Sequence, residues 1–255
     1  MPRLVTFLYG VFCYAVFLAV FVYGIGFIGG FATPTTLDGT PTRPLAEALA
    51  IDVGFLALFA VQHSGMARPA FKRWWTRIVP EAAERSTYVL ISSLLLAALF
   101  AWWQPIGGTV WETHGWARGL VLALYGLGWA VLFYSTCLID HFDLFGLRQV
   151  WRRLGDAPYE APKFYTPSLY KLVRHPLYVG WLMIFWSAPT MTAAHLLFAV
   201  MTTAYILVAI RLEERDLTEA FPADYPAYRS RTPMLIPRLM PKSGLPSPGA
   251  PKPTR

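Results

Sequence analysis

The chain has 255 residues, of which 55% are hydrophobic and only 15% are charged, whereas soluble domains carry about 25% charged residues. This composition excludes an ordinary soluble domain and indicates an integral membrane protein. The net charge of +7 does not indicate a nucleic-acid partner, because no nucleic-acid-binding motif accompanies it and basic residues between apolar segments are typical of contact with anionic lipid.

Successive apolar segments predict membrane helices. The first, about residues 6–30, is too long and too rich in aromatic residues for a cleaved signal peptide. The next three cover about residues 45–62, 87–103 and 116–139. The last two, about residues 177–188 and 191–210, form a hairpin with a turn at residues 187–190. Because the first arm of the hairpin is short, the sequence predicts an all-α, polytopic membrane bundle of five to six transmembrane helices that includes a C-terminal helical hairpin.

The distribution of basic residues predicts the orientation of this bundle. With the N-terminus in the cytoplasm, all of the 22 lysines and arginines except Arg43 and Arg118 fall on the cytoplasmic side. Since cytoplasmic loops carry the excess of basic residues, we expect both termini and both ends of the hairpin to face the cytoplasm. Residues 1–232 are predicted to form the membrane domain, and the proline-rich residues 233–255 to form a disordered cytoplasmic tail.

Four polar clusters abut the predicted helix ends, and the predicted topology places all of them at the cytoplasmic face. They cover residues 62–69, 140–149, 174–178 and 213–216. Each cluster alone has an ordinary explanation, such as a headgroup anchor, a helix cap or a solvated acidic face. Ionisable groups at membrane depth are costly and usually mark function, so four clusters at one face predict a site.

The side chains in two of these clusters match the amino-acid end of a zwitterionic ligand. Arg174, His175 and Tyr178 can bind a carboxylate through charge-assisted hydrogen bonds, and Glu213 or Glu214 can bind an ammonium group. S-adenosylmethionine carries both groups, although this chemistry alone does not single it out. No metal is predicted, because the histidines lack the spacing of a metal-ligand motif.

Two sets of motifs resemble a known superfamily. The segment Arg-His-Pro-Leu-Tyr-Val-Gly at 174–180, followed by Glu-Glu-Arg-Asp-Leu at 213–217 and Tyr-Pro-Ala-Tyr at 225–228, resembles the C-terminal half of the isoprenylcysteine carboxyl methyltransferase and phospholipid methyltransferase superfamily. The segments that begin at Gln62 and at His141 resemble its NnrU-like branch, and within it the methanethiol S-methyltransferases. This chain has Asp140 before His141, where that pattern has asparagine.

The resemblance implies an S-adenosylmethionine-dependent enzyme that converts methanethiol to dimethyl sulfide, with hydrogen sulfide as a further acceptor. It also implies a bacterial inner membrane protein with its active site at the cytoplasmic face. The implied cofactor-binding residues are Arg174, His175, Pro176, Tyr178, Gly180, Glu213 and Glu214.

Methylation of a thiol needs a base, because the thiolate is the nucleophile. The candidate bases are His141 and His63, with Asp140, Asp143 or Asp52 to orient the imidazole, and His141 with Asp140 or Asp143 is the favoured choice. Methanethiol has almost no polar group, so its pocket must be small and apolar, and it can enter from the bilayer. The candidate substrate-binding residues are Gln62, Phe142, Phe145, Arg148, Gln149 and Trp181.

Three alternatives stay open on the sequence. The acceptor can be a lipid or a larger thiol. The protein can be a nicotinamide-dependent membrane reductase of related fold, in which Arg148, Arg152 and Arg153 would hold the cofactor phosphate. It can also be a non-enzymatic protein that assists the assembly of a denitrification enzyme.

Overall fold

A computed structural model describes residues 2–160 and 163–238. Five of its helices are long and apolar enough to cross a membrane. The elements in chain order are α1 (Arg3–Gly29), α2 (Leu45–Ala67), α3 (Pro69–Trp75), α4 (Glu81–Trp102), β1 (Thr109–Glu112), α5 (Gly115–Leu138), α6 (His141–Leu144), α7 (Leu147–Leu154), a 3-10 helix (Ser168–Lys171), α8 (Pro176–Trp186), β2 (Thr190–Thr192), α9 (Ala193–Ala220) and α10 (Asp224–Arg231). The predicted all-α polytopic bundle with a C-terminal helical hairpin is confirmed.

The helices extend further at the site end than hydropathy predicts. Helix α2 continues through His63 to Ala67, and α9 continues to Ala220, so that residues 213–216 lie inside a helix and not after it. Hydropathy marks where the apolar residues stop, whereas Glu, Arg and Leu are all good helix formers that continue the backbone hydrogen bonding.

A small antiparallel sheet closes the other end of the bundle, and the sequence analysis did not predict it. Strand β1, between α4 and α5, pairs with β2, in the turn of the hairpin, with Thr109 opposite Thr192 and Glu112 opposite Thr190. The turn therefore reaches the end of the bundle that is opposite to the polar clusters. Helix α8 has 11 residues, or about 16 Å, and the residues after it extend the first arm of the hairpin to this sheet.

Close backbone contact fixes the short helix α8 against α5. A Cβ atom on Gly180 would lie 2.8 Å from the backbone nitrogen of Leu132 and 2.9 Å from the carbonyl oxygen of Gly128. A Cβ atom on Gly128 would in turn lie 3.0 Å from the backbone nitrogen of Ile184. Small residues of this kind let helices in a membrane approach to backbone contact. The contact holds α8, and hence residues 174–178 at its start, in a fixed position.

The first residues of the predicted tail pack against the start of α8. The backbone N–H of Arg174 donates to the carbonyl of Pro233 at 2.8 Å, and that of His175 donates to Met234 at 3.2 Å. Met234 and Leu235 also pack against the apolar core. The predicted disorder falls largely on residues 239–255, which lie outside the described residues, and the boundary at residue 232 stays a prediction.

Candidate functional site

Two ion pairs bring three of the four polar clusters together at one end of the bundle. Arg68, after α2, pairs with Asp216 on α9, with Nη1 and Oδ2 2.8 Å apart. Arg174, before α8, pairs with Glu214 on α9, with Nε and Oε1 2.7 Å apart. Both ends of the hairpin therefore meet the end of α2, as the predicted topology requires.

The cluster at residues 140–149 joins the same end through α4. Gly146, between α6 and α7, has a φ of +88°, and a Cβ atom there would lie 2.7 Å from the backbone nitrogen of Ser86. The Ser86 hydroxyl donates to the carbonyl of Gly146 at 3.3 Å. Only glycine adopts this backbone conformation readily, and only glycine leaves room for α4.

Glu214 is the centre of a buried network of ionisable groups. Its Oε1 accepts hydrogen bonds from Arg174 Nε at 2.7 Å and from His175 Nε2 at 3.1 Å. Its Oε2 lies 3.2 Å from Arg229 Nε, and only 7% of its side chain is exposed. Buried charges persist in proteins when they are paired in this way. Because three cationic or hydrogen-bonding side chains already occupy its oxygens, Glu214 is placed to position Arg174 and His175.

Arg174 and Glu213 keep groups that a ligand can use. Arg174 Nη1 donates to the carbonyls of Thr232 at 2.6 Å and Arg229 at 3.2 Å, while Nη2 has no partner within the described residues. Glu213 is 44% exposed, and its Oε2 lies 3.9 Å from His175 Nδ1. These donors fit a carboxylate, and the Glu213 oxygens fit an ammonium group.

Tyr178 connects this network with the cluster at the end of α2. Its ring lies 5.6 Å from the ring of His175, centroid to centroid. The ionisable groups close to its hydroxyl include Glu213, Tyr205 and Tyr88. One turn further along α8, Trp181 stacks on Phe185. The predicted cofactor residues Pro176 and Gly180 also shape α8: the proline opens its first turn, where a missing N–H costs nothing.

His141 is bound at both ring nitrogens by hydroxyl groups that the sequence analysis did not predict. Nε2 lies 2.8 Å from the Tyr14 hydroxyl, and Nδ1 lies 2.8 Å from Thr136 Oγ1. The Thr136 hydroxyl itself donates to the carbonyl of Phe133 at 2.7 Å. Burial lowers the pKa of His141 below its ordinary value, and the nearby charge of Asp140 opposes that shift. The imidazole is therefore neutral near pH 7.

The prediction that Asp140 or Asp143 orients the imidazole is wrong, because neither carboxylate is hydrogen-bonded to it. Asp140 pairs with Arg148 and caps α6 by accepting from the backbone N–H of Asp143 at 3.1 Å. Asp143 accepts hydrogen bonds from Gln149 Nε2 and the Tyr159 hydroxyl, each at 3.3 Å. These interactions hold the α6–α7 turn, and Arg148 and Gln149, which were predicted to bind substrate, belong to that framework.

Phe142 and Phe145 lie beside His141, as the predicted apolar pocket requires. The ring of Phe145 lies 4.8 Å from the His141 ring and stacks on Phe17 at 3.9 Å. Phe142 is 57% exposed, so more than half of its side chain lies at the protein surface. Trp181 connects to the same aromatic group only indirectly, through Phe21 at 6.5 Å.

His63 has similar surroundings on the other side of the bundle. The Tyr88 hydroxyl lies 3.0 Å from each ring nitrogen, and Ser92 Oγ lies 3.2 Å from Nδ1. The Ser92 hydroxyl donates to Gln62 Oε1 at 3.2 Å, and the imidazole stacks on Phe59. Gln62, a predicted substrate residue, is thus part of the support of His63.

The residues that the sequence analysis missed are hydroxyl-bearing side chains inside apolar helices. One signal was available: Tyr205 precedes Glu213 by eight residues, a spacing that puts both on the same face of α9. Tyr14 and Thr136 had no such signal. Within residues 2–160 and 163–238, no group of three or more His, Cys, Asp or Glu side chains is arranged to hold a metal ion.

Comparison with curated proteins finds relatives along nearly the whole chain. The chain is 52% identical over 238 residues to methanethiol S-methyltransferase 2 of Bradyrhizobium diazoefficiens, covering 93% of this chain and 92% of that protein. It is 46% identical over 238 residues to methanethiol S-methyltransferase of Mycobacterium tuberculosis, covering 93% and 98%. It is also 32% identical over 185 residues to nurim of Homo sapiens, covering 69% and 70%. No family model and no solved structure matches the chain.

Proposed function

The chain belongs to the methanethiol S-methyltransferase family, and from that premise we propose that it transfers a methyl group from S-adenosylmethionine to methanethiol and so forms dimethyl sulfide. The observation that carries the proposal is the 46% to 52% identity to methyltransferases of that name over 93% of the chain. When bound, S-adenosylmethionine supplies an electrophilic methyl group on a positively charged sulfur. Such a donor is already activated, so the protein chiefly has to position both substrates.

We assign the donor site to the network around Glu214. Arg174 Nη2 and His175 would hold the carboxylate of the donor, and the exposed carboxylate of Glu213 would hold its ammonium group. Glu214 would act through Arg174 and His175, since its own oxygens are engaged. Tyr178 lies near both Glu213 and Tyr205, and it would contact the donor next to this network.

We assign the acceptor site to the aromatic side chains beside His141. A small thiol needs an apolar pocket, which Phe142 and Phe145 supply, and a base to take its proton. His141 is neutral near pH 7 and is therefore able to accept one. His63 is the second candidate base. Hydrogen sulfide, which is smaller still, would fit the same pocket.

We place this site at the cytoplasmic face of the inner membrane. The support is the distribution of lysine and arginine along the sequence, which is predicted to fall on this side of the membrane with Arg43 and Arg118 as the exceptions. Among the alternatives, the reductase loses support because Arg148 is engaged by Asp140. Because Phe142 is partly exposed, the acceptor site is open to lipid-soluble acceptors other than methanethiol. The test below therefore includes one.

The test is an assay of the purified protein in lipid nanodiscs with S-adenosylmethionine and methanethiol, in which dimethyl sulfide is measured in the headspace by gas chromatography. We expect product in proportion to time and protein. A parallel titration with S-adenosylhomocysteine measures binding at the donor site. Intact binding without any dimethyl sulfide would refute the acceptor assignment, and the same reaction with a longer alkyl thiol would then identify the alternative.

A further inference from the structure

We propose that Tyr14 is the residue that meets the acceptor thiol, that it passes the thiol proton to Nε2 of His141, and that Thr136 positions the imidazole for this transfer. The inference rests on the proposed function and deepens it. Neither residue is marked by a sequence motif, and the carboxylates that were expected to orient His141 are bonded elsewhere.

The hydrogen bonds of Thr136 determine which nitrogen of His141 carries a proton. A threonine hydroxyl has one hydrogen, and the carbonyl of Phe133, at 2.7 Å, can only accept it. The oxygen of Thr136 must therefore accept from Nδ1–H of His141 at 2.8 Å. In the neutral ring, Nε2 is then unprotonated, and the Tyr14 hydroxyl at 2.8 Å donates to it.

Tyr14 also covers the lone pair that a base would use. The only hydroxyl at Nε2 within the described residues is that of Tyr14, so a thiol that approaches from the aromatic pocket meets the phenol oxygen first. The Tyr14 ring lies 6.3 Å from Phe142 and 6.4 Å from Phe145. This places the phenol oxygen, with a free lone pair, at the wall of the proposed apolar site.

The proton relay and the methyl transfer need no reactant besides the thiol and the sulfonium donor. As the S–H bond of the thiol breaks, its proton passes to the oxygen of Tyr14, and the phenolic proton of Tyr14 passes to Nε2 of His141. The electron pair left on sulfur forms the new bond to the methyl group of the sulfonium donor, and the pair of the broken methyl–sulfonium bond stays on the donor sulfur. The imidazolium then releases its proton to solvent.

The groups that face this pair suit the transfer. Asp140, which is paired with Arg148 at the start of α6, is the nearby negative group, and it partly offsets the burial that disfavours the imidazolium. Cys137, on α5, is the titratable group near the Tyr14 hydroxyl. At His63, by contrast, the Tyr88 hydroxyl is equidistant from both ring nitrogens, so it is aligned with neither lone pair.

Removal of the Tyr14 hydroxyl tests the transfer. General base catalysis typically contributes about 10²–10⁴-fold, so we expect Tyr14→Phe to lower kcat about 100-fold at neutral pH. The loss of kcat should become smaller as pH rises toward the pKa of the thiol, because more of the thiol is then already ionised. It should also be smaller with trifluoroethanethiol, which is a more acidic thiol. Tyr23→Phe is the matched control on α1, because Tyr23 bonds Thr35 at the opposite end, and it should keep wild-type kcat.

Thr136→Val and Thr136→Ser test the positioning role. We expect the valine variant to lose activity with the same pH signature as Tyr14→Phe, and the serine variant to restore it. Thr202→Val is the control, since Thr202 makes a similar bond within α9, to the carbonyl of Phe198 at 2.6 Å. A structural role alone would lower activity equally at every pH.

A measurement without turnover gives the second readout. Nitrogen-15 histidine spectra of the unliganded protein, with the His141 signal assigned through His141→Gln, should show Nδ1 protonated and Nε2 unprotonated. The opposite tautomer, or Tyr14→Phe with wild-type kcat at neutral pH, would overturn the inference. If the wild type forms no dimethyl sulfide, the proposed function fails while the tautomer result still decides the geometry.

Discussion

Replacement of Glu214 by glutamine separates a residue that positions the donor site from one that touches the ligand. The variant keeps the shape of the side chain but removes the charge that Arg174, His175 and Arg229 share. Removing one partner of a buried ion pair costs about 3–5 kcal/mol. Since Arg229 is largely exposed and water can reach it, we take the lower bound of about 3 kcal/mol, or about 6–12 °C in the unfolding temperature.

The matched control is Glu219→Gln on the same helix. Glu219 pairs with Arg215 at 3.1 Å, but its side chain is 64% exposed, and exposed pairs of this kind contribute about 0–1 kcal/mol. The assays are thermal unfolding in nanodiscs and calorimetric titration with S-adenosylhomocysteine. We expect Glu214→Gln to lower both stability and affinity, and Glu219→Gln to change neither by much.

Glu213→Gln completes the comparison. Glu213 is half-exposed and faces His175, so we expect its replacement to leave the unfolding temperature unchanged while affinity falls about tenfold, which corresponds to about 1.4 kcal/mol. The reasoning would be refuted if Glu214→Gln were as stable as Glu219→Gln, or if Glu213→Gln bound the ligand as the wild type does.

Three further predictions follow from the same structure. Gly180→Ala puts a methyl group 2.8 Å from the backbone of Leu132, so thermal unfolding should show a loss of about 1–3 kcal/mol, whereas Gly126→Ala, with no atom within 4 Å, should cause no loss, because alanine is the better helix former. Because burial lowers the pKa of His141, kcat should fall on the acid side only below pH about 6.5. As pH drops through the lowered pKa, the buried imidazole gains a charge, so both activity and folding stability are lost. A fall in kcat that begins above pH about 6.5 would contradict this. Asp140→Asn should keep most activity, since asparagine also caps a helix and tolerates the positive φ of 71° at this position; a hundredfold loss in the dimethyl sulfide assay would show that its charge is essential.

The sequence predicted that the polar clusters meet at one end of the bundle, because that prediction depends on charge and hydropathy alone. Arg174 and Glu214 are separated by an apolar hairpin, and a hairpin that returns must bring its two polar ends together. The meeting of Arg68 with Asp216 follows in the same way. Pattern along the chain is sufficient for features of this kind.

The division of roles between Glu213 and Glu214 could not be predicted. Adjacent helix residues point about 100° apart, and only the packing of α9 against residues 174 and 175 decides which carboxylate is buried. The partners of His141 were inaccessible for a related reason. Tyr14 is separated from it by 127 positions, and a tyrosine in an apolar helix reads as an ordinary packing residue.

The strands at the opposite end escaped prediction because they are too short for any periodicity. β1 has four residues and β2 has three, and they form only because the turn of the hairpin meets the loop between α4 and α5. The same contact extends the first arm of the hairpin beyond its 11-residue helix.

The central claim is the transfer of one methyl group from S-adenosylmethionine to methanethiol at this site. A single-turnover reaction with donor deuterated at the sulfonium methyl group, followed by mass spectrometry of the headspace, tests it most directly. We predict dimethyl sulfide with one deuterated methyl group per donor consumed, and none with Arg174→Ala, which lacks the guanidinium of the donor site. Donor consumption without labelled dimethyl sulfide, or equal labelling with Arg174→Ala, would contradict the claim.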